Sequence, residues 1–304
     1  MRTAVRLAGF AAGLALVFAA AWATGANVGP PPSTTAAPAS AMAHDDAGGE
    51  AAGAGHGHED GAGSEVESAG LTATAAGYTL VPQVTTFLPG APAEFGFAIT
   101  GSDGRPVTAF DVEHERQLHL IVVRRDTAGF QHLHPVLGPD GVWRVPLVLP
   151  AGGVYRAYAD FVPTGGPHLV LGADLYAAGD FTPLPTAPSR VAQVDGYQVR
   201  LDGELVAGSP SQVFATITRD GAPVTDLEPY LGAFGHLVTL RRSDLVYLHV
   251  HPDGAAPAAT DRAGPAIAFV ADVPSSGEYR LYLDFQHAGA VHTAEFTVAT
   301  RSGS

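Results

Sequence analysis

The sequence contains no cysteine among its 304 residues, and it contains only two methionines. Disulfides, thiolate metal sites, cysteine nucleophiles and lipid attachment at cysteine are therefore excluded, and soft sulfur ligands are nearly missing. Lysine is also absent, so all 16 basic side chains are arginines, and the formal net charge is −14. A chain with this acidic balance has no basic patch for the phosphates of a nucleic acid, and we predict no nucleic-acid partner.

The N-terminus carries an apolar run at residues 7–23, directly behind Arg2 and Arg6. This pattern is typical of a secretory signal peptide or of an uncleaved membrane anchor, which we assign to residues 1–25. Either alternative predicts an apolar N-terminal helix, with the arginines on the cytoplasmic side and the rest of the chain exported. We therefore expect an extracytoplasmic protein that is secreted or anchored in the membrane.

Residues 26–70 contain mostly small and acidic residues. Such a segment cannot bury enough apolar surface to offset the entropy of ordering, so we predict a disordered acidic linker. It carries His44, His56 and His58 close to carboxylates. These histidines are either incidental features of a solvated tether or weak ligands for a divalent metal, and the sequence leaves both alternatives open.

Beyond the linker the sequence repeats itself. "DGRPVT" at 103–108 matches "DGAPVT" at 220–225, and "YRAYADF" at 155–161 matches "YRLYLDF" at 279–285. Short β-like runs separated by Gly, Pro and Asp fill both copies, and each copy has about the length of an immunoglobulin-like domain. The duplication therefore indicates one β-domain that occurs twice.

The predicted fold class is all-β. We expect two tandem immunoglobulin-like β-sandwiches at residues 71–186 and 187–301, following the N-terminal helix and the linker. The Pro-containing stretch at 183–190 is the expected connection between the sandwiches.

Histidine and aspartate recur at matching positions of the two copies. The first set comprises His119, His132, His134, Asp160 and His168, and the second comprises His236, His249, His251, Asp284 and His292. In a strand, residues i and i+2 share one face at about 6.6 Å, so each His-x-His pair can converge on one ion. The first histidine of each set would be a third ligand and the last a fourth, while the aspartate would bind the ion or orient a histidine. We leave out His114, because its counterpart is Leu231.

Nitrogen and oxygen ligands without sulfur favour Cu(II) or Zn(II). We therefore predict extracytoplasmic binding of a divalent transition metal by a site in each sandwich, for buffering or delivery. The alternative is a non-enzymatic cell-surface interaction scaffold in which the histidines only stabilise the fold. We expect no enzymatic activity, since the sequence shows no nucleophile elbow, phosphate-binding glycine loop or paired acid/base pattern. The predicted partners are the metal ion and, if the N-terminal segment is uncleaved, the membrane; the sequence does not identify a protein partner.

The motifs resemble those of a loose group of exported bacterial proteins. These proteins carry an F-x-H-x-H-P motif followed by "G-x-Y-R…A-D-F", which this chain matches between His119 and Pro135 and from Gly153 to Phe161. The second copy shows the corresponding pattern between His236 and Pro252. The chain is also similar, more loosely, to immunoglobulin-like copper-resistance domains of the periplasm. These resemblances imply an extracytoplasmic β-sandwich and copper as a candidate metal.

Overall fold

The computed structural model describes residues 69–248 and 250–301. Every regular element in these residues is a β-strand, which confirms the all-β prediction for the described part of the chain. The predicted N-terminal helix, residues 26–68 of the predicted linker, and His249 lie outside the described residues.

The first repeat forms two five-stranded sheets. The strands of one sheet are β1 (Thr74–Ala75), β2 (Tyr78–Pro82), β4 (Ala93–Thr100), β7 (Val136–Leu137) and β8 (Trp143–Leu147). They pair in the order β1-β2-β4-β8-β7. The strands of the other sheet are β3 (Thr86–Phe87), β5 (Leu118–Arg124), β6 (Gln131–Leu133), β9 (Gly153–Phe161) and β10 (Leu169–Ala177). They pair in the order β3-β10-β9-β5-β6.

The second repeat has the same plan. The strands of its first sheet are β11 (Val191–Val194), β12 (Tyr197–Asp202), β13 (Ser209–Arg219), β14 (Ala222–Pro223), β17 (Val250–Pro252) and β18 (Ala266–Val273). They pair in the order β11-β12-β13-β18-β17, with β14 beside β13. The strands of its second sheet are β15 (His236–Arg241), β16 (Tyr247–Leu248), β19 (Glu278–His287) and β20 (Ala290–Ala299). They pair in the order β16-β15-β19-β20.

The strand order makes both sandwiches immunoglobulin-like. The orders β2-β4-β8-β7 and β12-β13-β18-β17 correspond to an A-B-E-D sheet, and β5-β9-β10 and β15-β19-β20 correspond to a C-F-G sheet. Each F strand begins with a tyrosine corner: the hydroxyl of Tyr155 donates to the Ala151 carbonyl at 2.9 Å, and that of Tyr279 donates to the Ser275 carbonyl at 2.8 Å. The prediction of two immunoglobulin-like sandwiches is confirmed.

A third apolar cluster joins the two sandwiches. Leu118, Leu120 and Val122 of β5 face the core of their own sandwich, whereas the intervening Ile121 and Val123 belong to this separate cluster. We call it the inter-sandwich core; its buried members are Ile121, Val123, Tyr158, Val238, Leu240, Leu245, Tyr247 and Tyr282. Since the cluster draws on both repeats, the two C-F-G sheets pack against each other with their outer faces.

Two tyrosine hydroxyls tie the inter-sandwich core together. Tyr158 donates to the Leu245 carbonyl at 2.6 Å, and Tyr282 donates to the Thr127 carbonyl at 2.5 Å. The ring of Phe130 also stacks on Tyr282, with the ring centres 4.0 Å apart. Each hydrogen bond crosses from one repeat to the other, so these buried hydroxyls are satisfied only when the sandwiches are docked.

A candidate metal centre between the two sandwiches

Polar residues lie next to the inter-sandwich core, on the same faces of the strands. His119 precedes Ile121 by two positions in β5, and His236 precedes Val238 by two positions in β15. Because alternate residues of a strand share a face, both imidazoles point into the interface. Asp284 of β19 is the register partner of His236. All three polar side chains are buried.

His132 and His134 lie where the chain leaves one sheet for the other. His132 belongs to β6, where it is the register partner of Ile121 in β5. Pro135 follows and cannot donate a ladder hydrogen bond, and the next strand, β7, belongs to the opposite sheet. The ring centres of His132 and His134 are 4.9 Å apart. Both histidines of this His-x-His pair therefore reach the interface.

The hydrogen bonds of the cluster place two nitrogen lone pairs face to face. His119 Nε2 lies 3.2 Å from the Glu113 carbonyl, and His132 Nδ1 lies 2.8 Å from the Asp284 carboxylate. Carbonyl and carboxylate oxygens only accept, so both nitrogens carry the proton. If the two rings are neutral, His119 Nδ1 and His132 Nε2 are unprotonated, and they are 3.0 Å apart. Either a proton or a metal ion must separate them.

His134 completes what we call the histidine triad, His119, His132 and His134. One ligand nitrogen from each ring lies within 4.8 Å of the others, so the three groups could hold a metal ion. Two imidazoles that share a tetrahedral ion have ring centres roughly 5 Å apart, since each Zn–N bond is about 2.1 Å. The ring centres in the triad are 5.2, 5.1 and 4.9 Å apart. His134 Nε2 is also buried without a hydrogen-bond partner.

Burial lowers the pKa of three imidazoles of the cluster, those of His119, His134 and His236. It lowers the pKa of His119 to about 4, and the nearby His132 adds to this effect. Burial, followed by His132 and then His119, lowers the pKa of His134 to about 3. The pKa of His236 falls to about 4 for the same two leading reasons, burial and His132. Neutral rings are the form that binds a metal, so the ion would displace few protons at neutral pH.

These shifts predict an acid-sensitive fold in the absence of metal. Between pH 6.5 and about 4, only the unfolded chain takes up protons at His119 and His236, so the free energy of unfolding falls as the pH falls. Each such group contributes about 1.4 kcal/mol per pH unit, and the more exposed His134 contributes less. Urea denaturation at pH 7 and pH 5 in EDTA measures the effect. His119→Gln should reduce the pH dependence, and an unchanged slope in this variant would contradict the prediction.

A cleft of about 420 Å³ opens beside the triad, and residues of both sandwiches line it. Asp160, His168 and His251 of the predicted sets lie on its wall. Asp160 accepts hydrogen bonds from His168 Nε2 at 2.7 Å and from the Tyr247 hydroxyl at 3.1 Å. Burial, the largest single effect, lowers the pKa of His168, but the hydrogen bond to Asp160 and the negative charges of Asp160 and Glu113 together outweigh it and raise this pKa. Asp160 of the first repeat thus accepts a hydrogen bond from Tyr247 of the second repeat.

His292 does not join the cluster. Its register partner in the β19–β20 pair is Phe285, which packs in the core of the second sandwich, whereas the partner of Asp284 is Thr293. His292 Nδ1 bonds Asp195 Oδ2 at 2.8 Å instead. His168 and His292 therefore take different positions, although their spacing from the aspartate is the same in both repeats. His292, the fourth ligand expected in the second set, lies away from the cluster.

The arrangement differs from the expected single site in each sandwich. All three triad histidines belong to the first repeat, but His132 is held by Asp284 of the second repeat at 2.8 Å. His236 of the second repeat lies beside them, with its ring centre 6.3 Å from that of His119 and 6.1 Å from that of His132. Among the described residues, the triad, Asp284 and His236 therefore form one shared cluster at the interface, while His249 of the second set lies outside the described residues.

His114 belongs to the cluster although it has no histidine counterpart in the second repeat. Its ring centre lies 5.1 Å from that of His236 and 6.2 Å from that of His119. Comparison of the repeats could not find it, because Leu231 occupies the equivalent position. Only contact across the interface brings His114 next to a histidine of the other repeat.

Comparisons with solved structures give matches of low similarity. The chain matches alpha-2-macroglobulin of Salmonella at 14% identity and a TM-score of 0.27, over 75% of this chain and 15% of that chain. It matches the Escherichia coli adhesin FdeC at 10% identity and a TM-score of 0.25, over 76% and 65% of the two chains. The match to the Yersinia pseudotuberculosis adhesin InvE has 12% identity and a TM-score of 0.23, over 73% and 58%. This chain thus spans less than two thirds of each of these chains.

No curated protein sequence matches the chain significantly. Within residues 69–248 and 250–301, no helix has the length and hydrophobicity needed to cross a membrane. A family model described as "Domain of unknown function (DUF8832)" matches residues 73–171 and 192–302, one segment in each repeat. These two segments cover more than half of the sequence, and the chain therefore belongs to the DUF8832 family.

Proposed function

We propose that the chain binds a divalent transition metal, Zn(II) or Cu(II), at the histidine triad and serves metal buffering or delivery outside the cytoplasm. The observation that carries this proposal is the buried, unbonded Nε2 of His134 beside the facing lone pairs of His119 and His132. A buried polar atom without a partner is costly, and one cation would satisfy all three nitrogens. The proposed role is non-catalytic.

Asp284 supports the proposal from the second sandwich. Its Oδ2 accepts from His132 Nδ1, and its Oδ1 accepts from the Thr293 hydroxyl at 2.6 Å. A carboxylate in this position fixes the tautomer and orientation of a ligating imidazole and raises its basicity. The export expected from the N-terminal sequence fits a metal pool outside the cytoplasm.

The second candidate is an interaction scaffold whose histidines are structural. The specific observation in its favour is that a proton on His132 would also satisfy the cluster, since the charged ring could donate to both Asp284 and His119. The cluster would then fix the docking of the sandwiches without any metal. In this case His134 Nε2 would remain unbonded.

Isothermal titration with zinc separates the two candidates. The protein should be the full chain with His44, His56 and His58 replaced by alanine, so that histidines of the N-terminal segment cannot contribute. The metal proposal predicts saturable binding and a higher unfolding temperature with zinc, because an ion that binds only the folded state stabilises it. The scaffold candidate predicts no saturable binding and an unfolding temperature that zinc does not change.

A further inference from the structure

The ring distances divide the interface imidazoles into two groups. Within the triad, the ring centres are 4.9 to 5.2 Å apart, and His114 and His236 are also 5.1 Å apart. Between the groups, the distances rise to between 6.1 and 6.3 Å for His119 with His114, His119 with His236 and His132 with His236. Only the shorter distances match two imidazoles on one tetrahedral ion, for which roughly 5 Å is expected.

A tight backbone turn positions residue 114 beside the second sandwich. Residues 113–116 form a tight turn in which Glu113 and Arg116 exchange backbone hydrogen bonds of 2.9 and 3.0 Å. His114 and Glu115 occupy the two central positions with φ of 48° and 62°. Histidine is one of the residues that tolerates this left-handed region. The turn therefore presents an exposed imidazole to the second sandwich from a defined position.

The Nδ1 atom of His236 is available as a metal ligand. Its Nε2 lies 2.9 Å from the Tyr230 carbonyl and 3.2 Å from the Leu231 carbonyl. Both oxygens only accept, so Nε2 carries the proton, and in the neutral ring Nδ1 is unprotonated. The rings of His236 and His114 meet nearly at right angles, at 88°.

We propose that His114 and His236 hold a second divalent transition-metal ion beside the triad, with one ligand from each sandwich. This inference rests on the proposed function, because the second ion is the same class of ligand in the same cluster. Both residues line the cleft, so water or a small exogenous ligand completes the coordination from the cleft side. Asp111 and Glu113 on the cleft wall supply negative charge that attracts a cation. The ion at His114 and His236 should therefore bind more weakly and exchange faster than the ion at the triad.

The decisive variant is His114→Leu, because leucine occupies the equivalent position of the second repeat with a similar left-handed φ of 53° at Leu231. Zinc titration of the full chain in which alanine replaces His44, His56 and His58 should show two binding events. His114→Leu should lose the weaker event and keep the tighter one unchanged. Cu(II) spin resonance gives an independent reading: two adjacent copper ions broaden each other's signal, and His114→Leu should abolish this broadening at two equivalents of copper.

The outcomes separate the inference from the proposed function. One binding event in the parent protein, unaffected by His114→Leu, would overturn the second position and leave the triad proposal standing. Loss of both events in a folded His114→Leu protein would show that the two groups are not separate positions. No binding event in the parent protein would overturn both proposals.

Discussion

Replacing His132 by alanine is expected to abolish tight zinc binding. His132 is the ring that connects the two halves of the site, since its Nδ1 bonds Asp284 and its Nε2 faces His119. Removing an outer partner of a metal ligand typically costs about 10–100-fold in affinity, so removing the ligand itself should cost more than about 100-fold. Isothermal titration with zinc in the background lacking His44, His56 and His58 measures this loss.

Two matched variants show whether the loss is specific. Asp284→Asn keeps the shape of the side chain but removes the charge that orients His132, and it should weaken zinc binding about 10–100-fold. His292→Ala removes a histidine that bonds Asp195 and lies away from the triad, so zinc affinity should not change. If His292→Ala weakened zinc binding as much as His132→Ala, the site would have to be assembled differently, with a separate centre in the second sandwich.

The second large effect is expected for Tyr282→Ala, which should lower the free energy of unfolding by about 3–5 kcal/mol. Tyr282 is fully buried, stacks on Phe130 with parallel rings 4.0 Å apart, and donates to the Thr127 carbonyl at 2.5 Å. Truncation therefore opens a cavity in the inter-sandwich core and leaves a buried carbonyl unbonded. Urea denaturation in EDTA measures the change.

Tyr282→Phe is the matched control for the packing of the ring. It keeps the stacking on Phe130 and loses only the hydrogen bond, so the expected loss is about 1 kcal/mol. Because the inter-sandwich core couples the repeats, both variants should unfold in one transition. Two separate transitions in the parent protein, or a loss below about 1 kcal/mol in Tyr282→Ala, would contradict the coupling of the sandwiches through this core.

Much of the fold could be predicted from strand alternation and from the repeat. In "YRLYLDF", alternation places Asp284 with Arg280 and Tyr282 and opposite Leu281 and Leu283, and the structure has this arrangement. The tyrosine that begins each such motif makes the tyrosine corner of its sandwich. The repeat also predicted a second copy of the same fold, because similar local patterns select similar pairings.

The position of the shared site could not be predicted in this way. Alternation shows which residues share a face, but it does not show what covers that face. The outer faces of β5 and β15 carry Ile121, Val123, Val238 and Leu240 beside His119 and His236. Apolar residues on both faces of a strand indicate that both faces are buried, but they do not identify the second sandwich as the partner. The bond from His132 to Asp284 spans 152 positions and lies between different repeats, so no local spacing indicates it.

The last histidine of each set shows how equal spacing can mislead. In the second repeat, β19 runs to His287 and β20 begins at Ala290, and Ala288 and Gly289 form the connection with φ of 53° and 76°. This short hairpin places His292 within β20, on the face of Phe285. In the first repeat, β9 ends at Phe161, and a Pro- and Gly-containing loop follows, because proline cannot extend the ladder. His168 lies in that loop and reaches Asp160 from there.

Anomalous diffraction at the zinc absorption edge, on crystals of the zinc-loaded full chain, shows whether an ion lies among the three triad rings. Metal binding at the triad predicts a difference peak about 2.1 Å from one ring nitrogen each of His119, His132 and His134. A map without a peak among these three rings, with His132 still bonded to both His119 and Asp284, would show that a proton and not a metal ion holds the cluster together.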